Sequence, residues 1–243
     1  MKVIKIYFTL LLLLVANYLS ASITVKNAQG VDIYYEINDS LNYAMVTKSP
    51  GTSYEGVINI PEAISYNGKQ YAVRIIQDNA FRGCMNLTEV TIPKSITRIG
   101  GHAFKGCYGL RTVNFNAVSC ASACTKQNGK ILSAFEDCKT ISHLNFGGDV
   151  MIIPEYAFWG CEGITEVTIP QHVKEIGGGA FIDCASLTTL NFNAQECTSM
   201  SVQDKGRITP AFISTPISNL NFGPFVSIIP DYAFFGCNSL TTV

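Results

Sequence analysis

Apolar and polar positions along this chain recur with a long period. From residue 87 onward, segments of the form L-x-x-V-x-I return as Leu87-Val90-Ile92, Leu110-Val113-Phe115, Ile141-Leu144-Phe146, Ile164-Val167-Ile169, Leu187-Leu190-Phe192 and Ile217-Leu220-Phe222. The last two apolar residues of each flank a polar one, which predicts a short strand with one buried face. Proline or a small turn residue follows and ends the strand. A second apolar pair comes next, such as Ile96 and Ile99, and then glycine. Ala103, Phe104, Cys107 and Leu110 then fall at i, i+1, i+4 and i+7, the spacing of one side of a helical turn.

Each unit ends on a phenylalanine: Phe81, Phe104, Phe135, Phe158, Phe181, Phe212 and Phe234, at successive separations of 23, 31, 23, 23, 31 and 22 residues. The two long units carry an insertion of eight residues at the same place, within the segments 116–131 and 193–208. A larger period sits above the first, because Phe104 to Phe181 and Phe135 to Phe212 both span 77 residues. NFNAVSC (114–120) returns as NFNAQEC (191–197), and HLNFGGDVMIIPEYAFWGC returns as NLNFGPFVSIIPDYAFFGC. Three unequal units have been duplicated as a block.

One unit cannot bury its own apolar side, whereas stacked copies can, with about 1.5 to 3 kcal/mol for every large side chain enclosed. The expectation is a right-handed solenoid with a parallel β-sheet on one face and short helical or irregular turns on the other. Eight strands, counting partial copies at both ends, would make a sheet roughly 35 to 40 Å long. The units LTEVTIPKSITRIGGHAFKGC (87–107) and ITEVTIPQHVKEIGGGAFIDC (164–184) resemble the BspA-type leucine-rich repeats of bacterial surface and secreted proteins. The resemblance covers about residues 55–243, as about seven repeats plus a truncated one. It implies a leucine-rich repeat solenoid and, for function, adhesion to or binding of host or neighbour proteins. It implies no catalytic residues.

The ends differ from the repeats. Residues 1–21, MKVIKIYFTLLLLLVANYLSA, carry Lys2 and Lys5 and then an apolar run too short to span a bilayer. They are expected to be a signal peptide cut after Ala21, which makes the mature chain secreted or displayed at a cell surface. Residues 22–54 are expected to form an N-terminal β cap. The hairpin signal AISYNGKQYAV, centred on Asn67-Gly68, interrupts the first repeat and belongs with that cap. The text stops at Val243, partway through a strand, so a fragment of a longer protein is expected.

Composition changes this picture little. With 47% hydrophobic and 14% charged positions a packed core is expected. Loss of Lys2 and Lys5 moves the net charge from -1 to about -3. No basic stripe invites nucleic acid, and no segment of the mature chain is apolar enough to span a membrane.

Nine cysteines in an exported chain raise the question of disulfides. Cys84, Cys107, Cys138, Cys161, Cys184 and Cys237 each sit three residues after a repeat phenylalanine, and Thr215 takes the remaining slot. Parallel stacking keeps successive Cβ atoms about 4.8 Å apart, against about 3.8 Å in a disulfide, so buried thiols are expected. A line of thiols also cannot converge on a metal. Cys120 and Cys124 could bridge locally or stay free, and with Cys197 their redox state is left open. His102, His143 and His172 occupy unrelated repeat positions, and no nucleophile, metalloprotease or phosphate-loop motif occurs. No enzyme and no cofactor are expected.

The candidate binding face is the polar side of the strands. It comprises Thr88, Glu89, Thr91, Arg111, Thr112, Asn114, Ser142, His143, Asn145, Thr165, Glu166, Thr168, Thr188, Thr189, Asn191, Ser218, Asn219 and Asn221. A protein partner, such as a host, neighbouring-cell surface or matrix protein, is expected there or at the insertions. Alternatives are a glycan-binding module and a structural spacer in a larger surface protein.

Overall fold

The computed structural model describes residues 22–51 and 53–241; the expected signal peptide lies outside them. Ile23–Lys26, Asp32–Asn38 and Tyr43–Val46 form an antiparallel meander, and the hairpin Ala63–Tyr66/Lys69–Ile76 joins the same sheet through parallel pairing of Tyr43–Val46 with Lys69–Ile76. The hairpin turn is Asn67-Gly68 with φ of 49° and 75°, the left-handed pair that a two-residue turn between twisted strands needs. Lys69–Ile76 also pairs in parallel with Arg98–Ile99, so this sheet runs into the repeats.

Three ladders hold the coils together. The first is formed by the predicted strands, with Val90 facing Val113 and Leu190 facing Leu220 in register. The second follows the second apolar pair, where Ile152–Ile153 lies beside Glu175–Ile176. The third lies at the Ala-Phe-x-x-Cys segments, where the expected helical turn is replaced by a different device. Among the described residues no α-helix forms. Asn79, Phe81 and Gly83 donate their N–H groups to Gly101, Ala103 and Lys105 of the next coil, while Ala80, Arg82 and Cys84 donate three residues back. Asn79 and Gly83 both take positive φ, 61° and 74°, and such left-handed residues stop helix propagation on either side of Phe81. Alternating local and cross-coil bonds satisfy the backbone that a helix would have satisfied internally.

Inside the ladders runs a stack of rings. Phe81–Phe104, Phe104–Phe135 and Phe181–Phe212 lie 4.8, 4.6 and 4.9 Å apart and within 4° of parallel. Tyr54 covers the N-terminal end of the stack at 4.6 Å from Phe81. Phe81, Phe104, Phe135, Phe158, Phe181 and Phe212 are fully buried. Phe234 departs from the core role expected of it: it is half-buried and packs edge-on against Phe192 and Phe222. It sits in the last described coil, with no ring above it.

All nine cysteines are buried and unbonded, including Cys120 and Cys124. The repeat thiols do more than fill space. Cys107, Cys138 and Cys184 donate S–H to the carbonyls of Phe81, Phe104 and Phe158 in the preceding coil, at 3.1, 3.0 and 3.2 Å.

The continuous sheet expected from the sequence is in fact two. Gly56–Asn59, Leu87–Ile92, Thr112–Phe115 and His143–Phe146 form a four-stranded parallel sheet, and Glu166–Ile169, Thr189–Phe192 and Asn219–Phe222 a three-stranded one. The break falls at the junction of the duplicated blocks. After Thr112–Phe115, His143–Phe146, Thr189–Phe192 and Asn219–Phe222 the N–H of the next residue closes the ladder, as from Gly147 to Phe115 (2.9 Å) or Asn193 to Ile169 (3.1 Å). At the junction that residue is Pro170, which has no N–H to give. The rings of Phe115 and Phe146 also press edge-on against Phe158, and stack spacing widens to 5.3 and 5.6 Å on either side of it. The thiol bond stretches with it: Cys161 lies 3.9 Å from the Phe135 carbonyl.

Candidate functional site

The strands fix the orientation of the candidate face, because period-two alternation sends Val90, Val113, Leu190 and Leu220 inward and leaves the intervening residues outside. Every one of the eighteen residues of that face is exposed or half-buried. The structure brings a subset of them into two matching networks. In the first block Asn114 Nδ2 donates to Glu89 Oε1 (2.8 Å) and Thr91 Oγ1 (3.3 Å), and Asn145 Nδ2 donates to Asn114 Oδ1 (2.9 Å). In the second, Asn191 Nδ2 donates to Glu166 Oε1 (2.6 Å) and Thr168 Oγ1 (3.2 Å), and Asn221 Nδ2 donates to Asn191 Oδ1 (2.8 Å).

These bonds decide which groups are left for a partner. Amides tied across strands keep their planes fixed, so less side-chain freedom is lost when something binds. Asn145 and Asn221, at the end of each network, are exposed and use only their Nδ2 groups in it. The two networks lie three coils apart, about 15 Å at ordinary strand spacing.

Between them the sheet break opens a cleft of about 510 Å³, lined by Ser142, His143, Asn145, Phe146, Thr165, Glu166, Thr168 and Pro170. No backbone bond joins the strand 143–146 to 166–169, so each presents an unpaired edge there. His143 is held by its neighbour, with Ser142 Oγ 2.9 Å from Nδ1. Phe146 and Pro170 were not among the residues singled out from the sequence. Arg111, Thr188, Ser218 and Asn219 flank the networks without joining them through their side chains.

The insertions form hairpins, Cys124–Gln127/Lys130–Ser133 and Ser201–Asp204/Arg207–Pro210, with left-handed turns at Asn128-Gly129 and Lys205-Gly206. His172 is occupied structurally, with Nδ1 2.9 Å from the Gly148 carbonyl oxygen. Among the described residues no three His, Cys, Asp or Glu side chains are grouped to hold a metal. No helix there is long and apolar enough to cross a membrane. Burial pushes Cys120 and Cys184 up to about 12 and Cys197 up to about 11, so these thiols are neutral and unreactive at physiological pH.

Residues 74–203 and 207–243 match the BspA type leucine rich repeat region in six copies. The chain belongs to this family of BspA-type leucine-rich repeat proteins. A leucine rich cell surface protein from Faecalibacterium prausnitzii is similar in structure, with TM-score 0.54 and 26% identity over 90% of this chain. The BspA-type chain spans 54% of the length of that neighbour. The leucine rich repeat protein of T. pallidum shares the fold at TM-score 0.52 and 22% identity, over 86% of this chain and 88% of that one. No curated protein sequence matches the chain.

Proposed function

We propose that the chain is an exported, non-enzymatic binding module that holds another macromolecule, a protein, against its strand face at or near a bacterial surface. The observation that carries this reading is the duplicated Glu-Thr-Asn-Asn network, which sets fixed donors and acceptors on both sides of an open cleft. Family membership and a similar cell surface protein support it, as does the export signal expected at 1–21. The two exposed strand edges at the cleft offer main-chain groups that a polypeptide partner can satisfy. Net worth per neutral hydrogen bond is about 0.5 to 1.5 kcal/mol, and no Tyr or Trp lies on this face, so affinity in the micromolar range follows.

The test is binding of the secreted chain to a panel of purified matrix and cell-surface proteins by surface plasmon resonance. Asn114→Ala, Asn145→Ala, Asn191→Ala and Asn221→Ala combined should weaken binding at least tenfold while leaving the circular-dichroism spectrum unchanged. Equal binding by the combined variant would remove the strand face as the site. Silence across the panel, with binding by a longer product, would favour a spacer.

A further inference from the structure

Trp159 is the one tryptophan of the chain, and it lies on the turn flank, away from the strand face. Two adjoining cavities of about 530 and 310 Å³ share Trp159, Ile131 and Glu136 as their common wall. Ile131 comes from the first insertion hairpin, so the groove exists because that hairpin folds over the flank. Trp159 Nε1 donates to Asp183 Oδ2 of the next coil at 3.1 Å, which fixes the plane of the indole. Glu136 accepts from Lys105 Nζ at 2.5 Å and pairs with His102 Nε2 at 2.8 Å. Burial works to raise the Glu136 pKa, but the bonds from Lys105 and His102 outweigh it and hold the carboxyl below its usual range.

The duplicated block supplies an internal comparison. At the corresponding positions it carries Phe235 for Trp159, Ile213 for Glu136, Ile182 for Lys105 and Gly179 for His102, while Ile208 keeps the place of Ile131. The same backbone therefore forms without the indole or the charges. Their presence in the first copy is not demanded by the fold.

We propose that the Trp159 groove is a binding site for a neutral saccharide. An indole face and Ile131 need an apolar surface to cover them, and the surrounding groups need a ligand rich in hydroxyl donors and acceptors. A pyranose ring offers both, an apolar face and a rim of hydroxyls. The two cavities are lined by four carboxylates (Glu136, Asp137, Glu162, Asp183) and three lysines (Lys105, Lys130, Lys139), an excess of one negative charge. Glu136 and Glu162 already hold lysine partners, the latter through Lys139 at 2.7 Å, so little charge remains to draw an ionic ligand. A protein surface would have to bury these ion pairs, which costs more than it returns. A sugar can leave them half in water. The cavities together have the size of a small-ligand site.

Because Trp159 is the sole tryptophan, its emission reports the groove directly. The secreted chain is titrated with cellohexaose, chitohexaose and mannohexaose, and with hexalysine as a charged probe. A saturable change in emission with at least one saccharide and none with hexalysine is expected. Lys105→Ile with Glu136→Ile, the residues of the second copy, should fold with an unchanged circular-dichroism spectrum and lose at least tenfold in affinity. Trp159→Phe, followed by calorimetry, should do the same. The combined asparagine variant of the strand face should bind saccharide as the parent does, which separates this site from the one proposed above. No response to any saccharide, a response to hexalysine alone, or unchanged affinity in Lys105→Ile/Glu136→Ile overturns the proposal.

Discussion

Phe104→Ala removes the ring at the centre of the best-stacked part of the core. Phe104 is fully buried, 4.8 Å from Phe81 and 4.6 Å from Phe135, and within 4° of parallel to both. Truncation of a buried phenylalanine costs about 3 to 5 kcal/mol, and the loss of two stacked neighbours puts this one near 5. The half-buried Phe234, with one side open, should cost about 2 kcal/mol by the same substitution. In urea, with reductant present and Trp159 emission as the probe, Phe104→Ala should lower the midpoint by about 2 M. Nearest-neighbour stacking also demands a pattern of coupling. Phe81→Ala and Phe104→Ala should be non-additive by about 1 kcal/mol, whereas Phe81→Ala and Phe135→Ala, which share no contact, should add to within about 0.5. A cost below about 2 kcal/mol at Phe104, or equal costs at Phe104 and Phe234, would refute the stack as the main source of coil-to-coil stability.

Alkaline pH should unfold the protein through its thiols. Cys120, Cys184 and Cys197 have folded pKa values raised from 9.0 to about 12, 12 and 11, so the stability they contribute is complete below pH 9 and is lost as pH rises towards those values. An unfolded thiol is half-ionised at pH 9, so each loses about 1 kcal/mol between pH 9 and 10, and these three together remove about 3 kcal/mol. Urea midpoints at pH 8, 9 and 10 measure it, and a flat profile would contradict the burial of neutral thiols. Gly109→Ala should cost about 2 to 3 kcal/mol, since a Cβ there runs into the Met85 carbonyl oxygen of the preceding coil. Gly148→Ala, with nothing near its added Cβ, should stay within about 0.5, and equal midpoints for the two variants would show that coil spacing is looser than the structure has it.

The repeat itself was legible because strand alternation and the returning phenylalanine are local patterns that every coil must satisfy. Leu87-Val90-Ile92 places three side chains inside whatever lies beside them. The turn was misread as helical because i, i+1, i+4 and i+7 spacing carries no sign of φ. Tyr156 and Tyr232 adopt left-handed φ, 52° and 59°, which their residue type does not advertise. The split in the sheet had one visible sign, the missing N–H of Pro170, but Leu87–Ile92 also ends at a proline and still pairs with Gly56–Asn59. The widened packing around Phe158 makes the difference, and that depends on rings from three coils. The eighteen-residue face was legible as polar, while its contraction to two four-residue networks depends on which amides reach across strands. Trp159 was passed over because it occupies an ordinary variable slot of Ala-Phe-x-x-Cys. Its groove is completed by Ile131, twenty-eight residues earlier, beside a turn whose Asn128-Gly129 pair is a strong hairpin signal.

Recognition through the strand face is the central claim, and photo-cross-linking tests it most directly. A photoreactive residue is placed at Asn145, at the edge of the cleft, and in a second chain at Lys174, on the exposed side of another ladder. With a bound protein partner, the account predicts a covalent adduct from position 145 and none from position 174. An adduct from 174 with none from 145 would contradict it.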